Sequence, residues 1–148
     1  MESNLRITQL LKGLLVVCRA SELGFIAAAE AIPGKITREI LYSYADQRRE
    51  FAEQLRIELR FHAGDWFDVD PPIHSLTHIH HSNGTRNKKE IISQCEQAEE
   101  AMMRVYEDAL SRKTPWDVHE VLSTQHQEIR DAHHFLYALK QITLPSAA

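Results

Sequence analysis

Two glutamates stand near the centres of two apolar helical stripes, and an arginine stands at the centre of a third. Leu11, Leu15, Cys18, Glu22, Phe25 and Ala29 recur at alternating spacings of four and three, which is one face of an α-helix. Ile92, Cys95, Glu99, Met102 and Tyr106 bring back the same order, with Cys95 and Glu99 each 77 positions after Cys18 and Glu22. Carboxylates aimed into a core can hold a metal or pair with a buried cation. The third stripe is Leu41, Tyr44, Ala45, Arg48, Phe51, Ala52, Leu55 and Leu59. A guanidinium keeps its proton and has no lone pair for a metal, but it bridges carboxylates through hydrogen bonds. A fourth stripe, Val118, Val121, Leu122, Gln125, Ile129, Ala132, Leu136 and Leu139, carries an amide at the matching place.

The shift of 77 also carries Leu14 to Ile91, Leu41 to Val118, Arg48 to Gln125, Ala52 to Ile129 and Leu55 to Ala132. Each half then reads as a helical hairpin with one Glu on its first helix and one polar residue on its second. Packed face to face, the halves predict a central layer of Glu22, Arg48, Glu99 and Gln125, with Glu128 one turn beyond Gln125. Three readings of that layer stay open. The first is a buried ionic network that fixes helix register. The second is a metal site with Glu22, Glu99 and Glu128 as the foremost ligands and Gln125 and His133 as weaker ones. The third is a small-ligand pocket. Di-iron bundles take one Glu from each of two helices and Glu-x-x-His from each of the others. Glu22 and Glu99 fill the single-Glu places. Arg48 with Phe51, and Gln125 with Glu128, do not make Glu-x-x-His.

Four long helices must position these residues. They are expected over about 4–31, 37–62 and 87–112, and from Thr114-Pro115-Trp116-Asp117 to about 142. Ile32-Pro33-Gly34-Lys35 breaks the first hairpin, with Thr37 as the expected N-cap of the second helix, and Gly64 stops that helix. Thr114 is the expected cap of the fourth, with Pro115 at the first helical position and Asp117 in the first turn. The segment 65–86 is long for a loop within a domain. It holds Pro71-Pro72, Asn83-Gly84 and a histidine run, with a short helix expected over 73–81. Short, long and short connections predict an all-α, ferritin-like four-helix bundle with a long crossover between helices two and three. An up-down-up-down bundle is the plainer alternative.

With 148 residues, the chain reads as one domain spanning 1–148. Hydrophobic residues make up 43% and charged residues 26%, a globular composition. The net charge of −4 argues against a general nucleic-acid binder. Arg48-Arg49, Arg56 and Arg60 are balanced by Glu50, Glu53 and Glu58, a solvated face. No stretch reaches the length of a membrane span. Glu2 and Lys12 interrupt what would otherwise resemble a leader. Cys18 and Cys95 read as buried free thiols of a reducing cytoplasm. Each has a glutamate four residues on, which raises a thiol pKa and disfavours a reactive thiolate. No nucleophile has an evident base beside it, so the chain reads as non-enzymatic.

His74, His78, His80 and His81 have helical spacings that let two imidazoles share a metal. The plainer reading is a solvated crossover. His126, His133 and His134 read as boundary residues, Met102-Met103 as core filling, and Trp66 and Trp116 as lids at helix ends.

The chain from about 5 to 139 resembles a bacterial family of ferritin-like four-helix-bundle domains without a settled biochemical role. The likeness rests on Ser21-Glu22-Leu23-Gly24-Phe25 through Ala28-Ala29-Glu30, and on Gln47-Arg48-Arg49-Glu50-Phe51 through Glu53-Gln54-Leu55. It continues in Cys95-Glu96-Gln97-Ala98-Glu99-Glu100-Ala101 through Tyr106-Glu107-Asp108-Ala109-Leu110, and in Gln125 and Ala132-His133. It carries nothing over to 65–86. The resemblance implies a ferritin-like bundle from a bacterium. The function expected is a stress- or scaffold-type bundle without a cofactor. The rival is a metal-carboxylate or oxidase-type relative that would hold iron or manganese. A homodimer is compatible with either.

Overall fold

A computed structural model describes residues 2–64 and 87–142, with the side chains of residues 2 and 3 excluded. These residues form four α-helices: α1 (Glu2–Ala31), α2 (Lys35–Ala63), α3 (Lys88–Leu110) and α4 (Trp116–Ile142). Among the described residues there is no strand, and no helix is long and apolar enough to cross a membrane. The expected crossover, its short helix over 73–81, Trp66 and the tail from 143 lie outside the described residues.

Each stripe turns inward. Leu11, Leu15, Cys18 and Ala29 of α1, Leu41, Ala52, Leu55 and Leu59 of α2, and Val118, Leu122, Ile129 and Leu136 of α4 are essentially closed to water. Burying one such Leu or Ile contributes roughly 1.5–3 kcal/mol. A change such as Leu55→Ala would remove about 2–5 kcal/mol. The core falls into two apolar clusters. One joins residues 7–18 of α1, 51–59 of α2, 102–109 of α3 and 118–129 of α4. The other joins residues 25–32 of α1, 41–45 of α2, 91–95 of α3 and Leu136 of α4. This places α1 against α3 in opposite directions, α2 against α4 in opposite directions, and α2 and α3 in the same direction. The apolar clusters are parted at the level of Glu22, Arg48 and Glu99.

The helix ends show where local chemistry differs from the sequence reading. Thr37 does not cap α2. The helix starts two residues earlier, with Gly34 at the cap in a positive-φ conformation (φ 99°) that a side chain would strain, and Thr37 is buried inside the first turn. At the other end Gly64 has φ 90° and its N–H bonds Arg60 O, as a terminating glycine does. Asn87 caps α3 in a reciprocal box. Its side chain accepts from Glu90 N, and Glu90 accepts from Asn87 N. Thr114 does not cap α4, since its hydroxyl is buried without a hydrogen-bond partner. His119 N already bonds Pro115 O, so α4 is wound from the proline onward. Trp116 is no lid. It stands 78% exposed because the helix start turns it away from the core.

Candidate functional site

Arg48 is fully buried at the middle of α2. Its Nη1 and Nη2 donate to the two oxygens of Glu99 at 2.5 and 2.6 Å. Glu99 is 1% exposed. This is the two-pronged fit that a planar guanidinium makes with a carboxylate. Nη1 also reaches Ser21 Oγ at 3.2 Å and Met102 Sδ at 3.2 Å, and Nε donates to Gln47 Oε1 at 3.1 Å. The Phe25 and Phe51 rings lie 5.3 and 5.4 Å from the guanidinium carbon, within cation–π range. Every nitrogen of the guanidinium therefore donates at least once, and both carboxylate oxygens are engaged. A buried pair like this stabilises little net of desolvation, but losing either partner is costly.

A second polar group lies one to two turns away. Tyr106 Oη donates to Gln125 Oε1 at 2.6 Å, and Gln125 Nε2 donates to Gln54 Oε1 at 2.8 Å and to Phe51 O at 3.3 Å. Cys18 Sγ lies 3.3 Å from Tyr106 Oη. Tyr106, Gln125 and Cys18 are all closed to water. Burial pushes the Cys18 thiol up to about 11, with the Tyr106 hydrogen bond opposing. Burial also holds the Tyr106 phenol well above its usual value. The high thiol pKa expected from neighbouring carboxylates thus has desolvation as its main cause. Cys18 and Cys95 are buried and free of any disulfide.

The expected layer is accordingly divided. Arg48 and Glu99 are joined, Gln125 belongs to the tyrosine group, and Glu22 bonds neither. Glu22 accepts from Arg19 at 2.9 Å, three residues back on its own helix, and lies 3.7 Å from Arg49. Glu22 is buried (7% exposed) but is engaged by Arg19 and Arg49, and Ser21 rather than Glu22 reaches Arg48. Glu128 is half-exposed on α4. His133 lies 3.3 Å from Glu96 and 3.9 Å from Glu100, apart from the other four candidate ligands. His74, His78, His80 and His81 lie outside the described residues.

Two groups of three ligand atoms come within 4.8 Å of one another among the described residues: Glu58, His62 and Asp117, and Glu96, Glu100 and His133. Only His133 was singled out as a ligand by its stripe. The signal for the others was the spacing of four in Glu58–His62 and Glu96–Glu100, which puts each pair on one helix face. Beside the ion pair, a groove of about 510 Å³ separates α1 from α3, lined by small residues such as Ala20, Gly24 and Ala98 and floored by Phe25 and Met102. No family model matches the chain, and a search of curated proteins also finds no match.

Proposed function

We propose that this chain is a ferritin-like bundle with a long crossover between α2 and α3, serving as a non-enzymatic stress- or scaffold-type protein of the bacterial cytoplasm. The single observation that carries the reading is the closed Arg48–Glu99 pair at the middle of the bundle. A di-metal carboxylate centre would need that slice for ligands. Here one carboxylate has both oxygens held by a guanidinium, the facing helix presents that guanidinium instead of a ligand, and Gln125 spends its amide on Tyr106, Gln54 and Phe51. The shared direction of α2 and α3 supports the crossover, because a link between parallel neighbours must run the length of the bundle.

Metal analysis of tag-free protein tests the reading. Iron or manganese at one or more per chain that disappears in Glu22→Ala would overturn it in favour of a metal-carboxylate relative. The expected outcome is the same metal content in both proteins.

A further inference from the structure

At the end of the bundle where α2 stops and α4 starts, three side chains converge without being part of the central slice. Glu58 and His62 occupy successive turns near the end of α2, and Asp117 lies in the first turn of α4. His62 Nε2 is 3.0 Å from Asp117 Oδ2 and 3.8 Å from Glu58 Oε1. Zinc bonds of about 2.1 Å at the tetrahedral angle set ligand atoms about 3.4 Å apart, and the observed separations bracket that value. Glu58 Oε1 is shielded from water and has no hydrogen-bond partner. Asp117, 40% exposed, leaves one side open for water.

The charges point the same way. Two carboxylates share one imidazole. The carbonyls at the end of α2 add negative potential. The Glu96–Glu100–His133 group differs on this point. Lys140 already bonds Glu96, and Arg104 bonds Glu100 at 2.9 Å.

We propose that Glu58, His62 and Asp117 bind a divalent first-row cation of the zinc type, with water completing its coordination. One imidazole and two carboxylates suit such a borderline ion better than magnesium, which prefers an all-oxygen shell. The site would tie the end of α2 to the start of α4. It is independent of the central ion pair and of the scaffold reading.

The test is calorimetric titration of Zn²⁺ into the tag-free, EDTA-dialysed full chain. A background with His74, His78, His80 and His81 all changed to Ala removes the other imidazole-rich segment. That background should bind one Zn²⁺. His62→Ala and the isosteric Asp117→Asn should each weaken binding by about tenfold or more, with helix content by circular dichroism unchanged. Glu22→Ala and His133→Ala should leave binding intact. The proposal is overturned if the background binds no zinc, if neither His62→Ala nor Asp117→Asn weakens it, or if His133→Ala abolishes it. The Glu22→Ala arm separates this outcome from failure of the scaffold reading.

Discussion

Replacing Arg48 with Ala should be the most damaging single change to a charged residue of this bundle. It removes two hydrogen bonds of 2.5 and 2.6 Å and leaves a carboxylate that is 1% exposed with no cation. Breaking a buried pair in this way costs about 3–5 kcal/mol, against a total stability of about 5–15 kcal/mol for a domain. At about 2–4 °C per kcal/mol for a chain of this size, the melting temperature should fall by about 6–20 °C. An exposed arginine such as Arg104, 74% exposed in its pair with Glu100, should give a change of about 1 kcal/mol or less. Replacing both partners is the sharper comparison. Arg48→Met with Glu99→Leu leaves no stranded charge, and Phe25 and Phe51 already wall the place with apolar surface. The double variant should recover most of the loss. The deficit of the single variant should also depend on pH. A lone Glu99 in that interior would hold its proton to a pH above its unfolded value, so stability would be lost as pH rises from about 4 towards neutrality. Thermal unfolding of wild type, Arg48→Ala, Arg104→Ala and the double variant at pH 5 and pH 8 measures all of this. A loss in Arg48→Ala no larger than in Arg104→Ala, or a double variant weaker than the single, would refute the reasoning.

Three further outcomes follow from the buried polar groups. Tyr106→Phe keeps the ring but leaves Gln125 Oε1 without its 2.6 Å donor, so urea unfolding should show a loss of about 1–3 kcal/mol; no loss would place water or another donor there. The Cys18 thiol, pushed up to about 11 and closed to water, should carry thiolate on the order of one part in ten thousand at neutral pH. In a Cys95→Ala background its alkylation should therefore track global unfolding, and rapid reaction of the native protein would contradict the burial. Glu58 has its folded pKa raised to about 7, so it should weaken the fold as pH rises from its ordinary 4.5 through 7. Asp117 is shifted down and acts in the opposite sense only in strong acid. In EDTA-treated protein, Glu58→Gln should raise the melting temperature relative to wild type at pH 8 and have little effect at pH 5. A uniform drop at both would show that Glu58 is held by favourable contacts.

The helices were legible because a stripe with spacings of four and three reports which face of each helix is buried, and burial decides the fold class. The same stripe is a poor guide to rotation about the helix axis. Glu22 and Ser21 differ by one residue, about 100° around α1, and the actual rotation brings Ser21 to Arg48 and leaves Glu22 to Arg19 and Arg49. The stripe treated Tyr106 as apolar bulk, whereas its hydroxyl takes Gln125 out of the central slice. Gly34 displaced Thr37 as the start of α2 because a positive-φ glycine ends one turn and opens the next without a side-chain cap. The meeting of His62 with Asp117 spans 55 positions. It depends on the register of α2 against α4, which no local pattern encodes.

That register is what the buried ion pair is suited to specify. The two apolar clusters on either side of it are built largely of Leu, Ile and Ala, whose contacts are non-directional and discriminate less sharply between neighbouring alignments than a charged pair does. A slip of about 5.4 Å along α3 would carry Glu99 away from Arg48 and bring Cys95 or Met103, four residues to either side, into its place. Neither can neutralise a guanidinium, so the slipped state strands a full charge in an apolar interior at a cost of several kcal/mol. The native pair need not be strongly stabilising for this to work. It only has to be satisfied in one alignment of the helices and unsatisfied in the neighbouring ones, a condition that Ser21, Gln47 and Met102 reinforce by accepting further hydrogen bonds from Arg48.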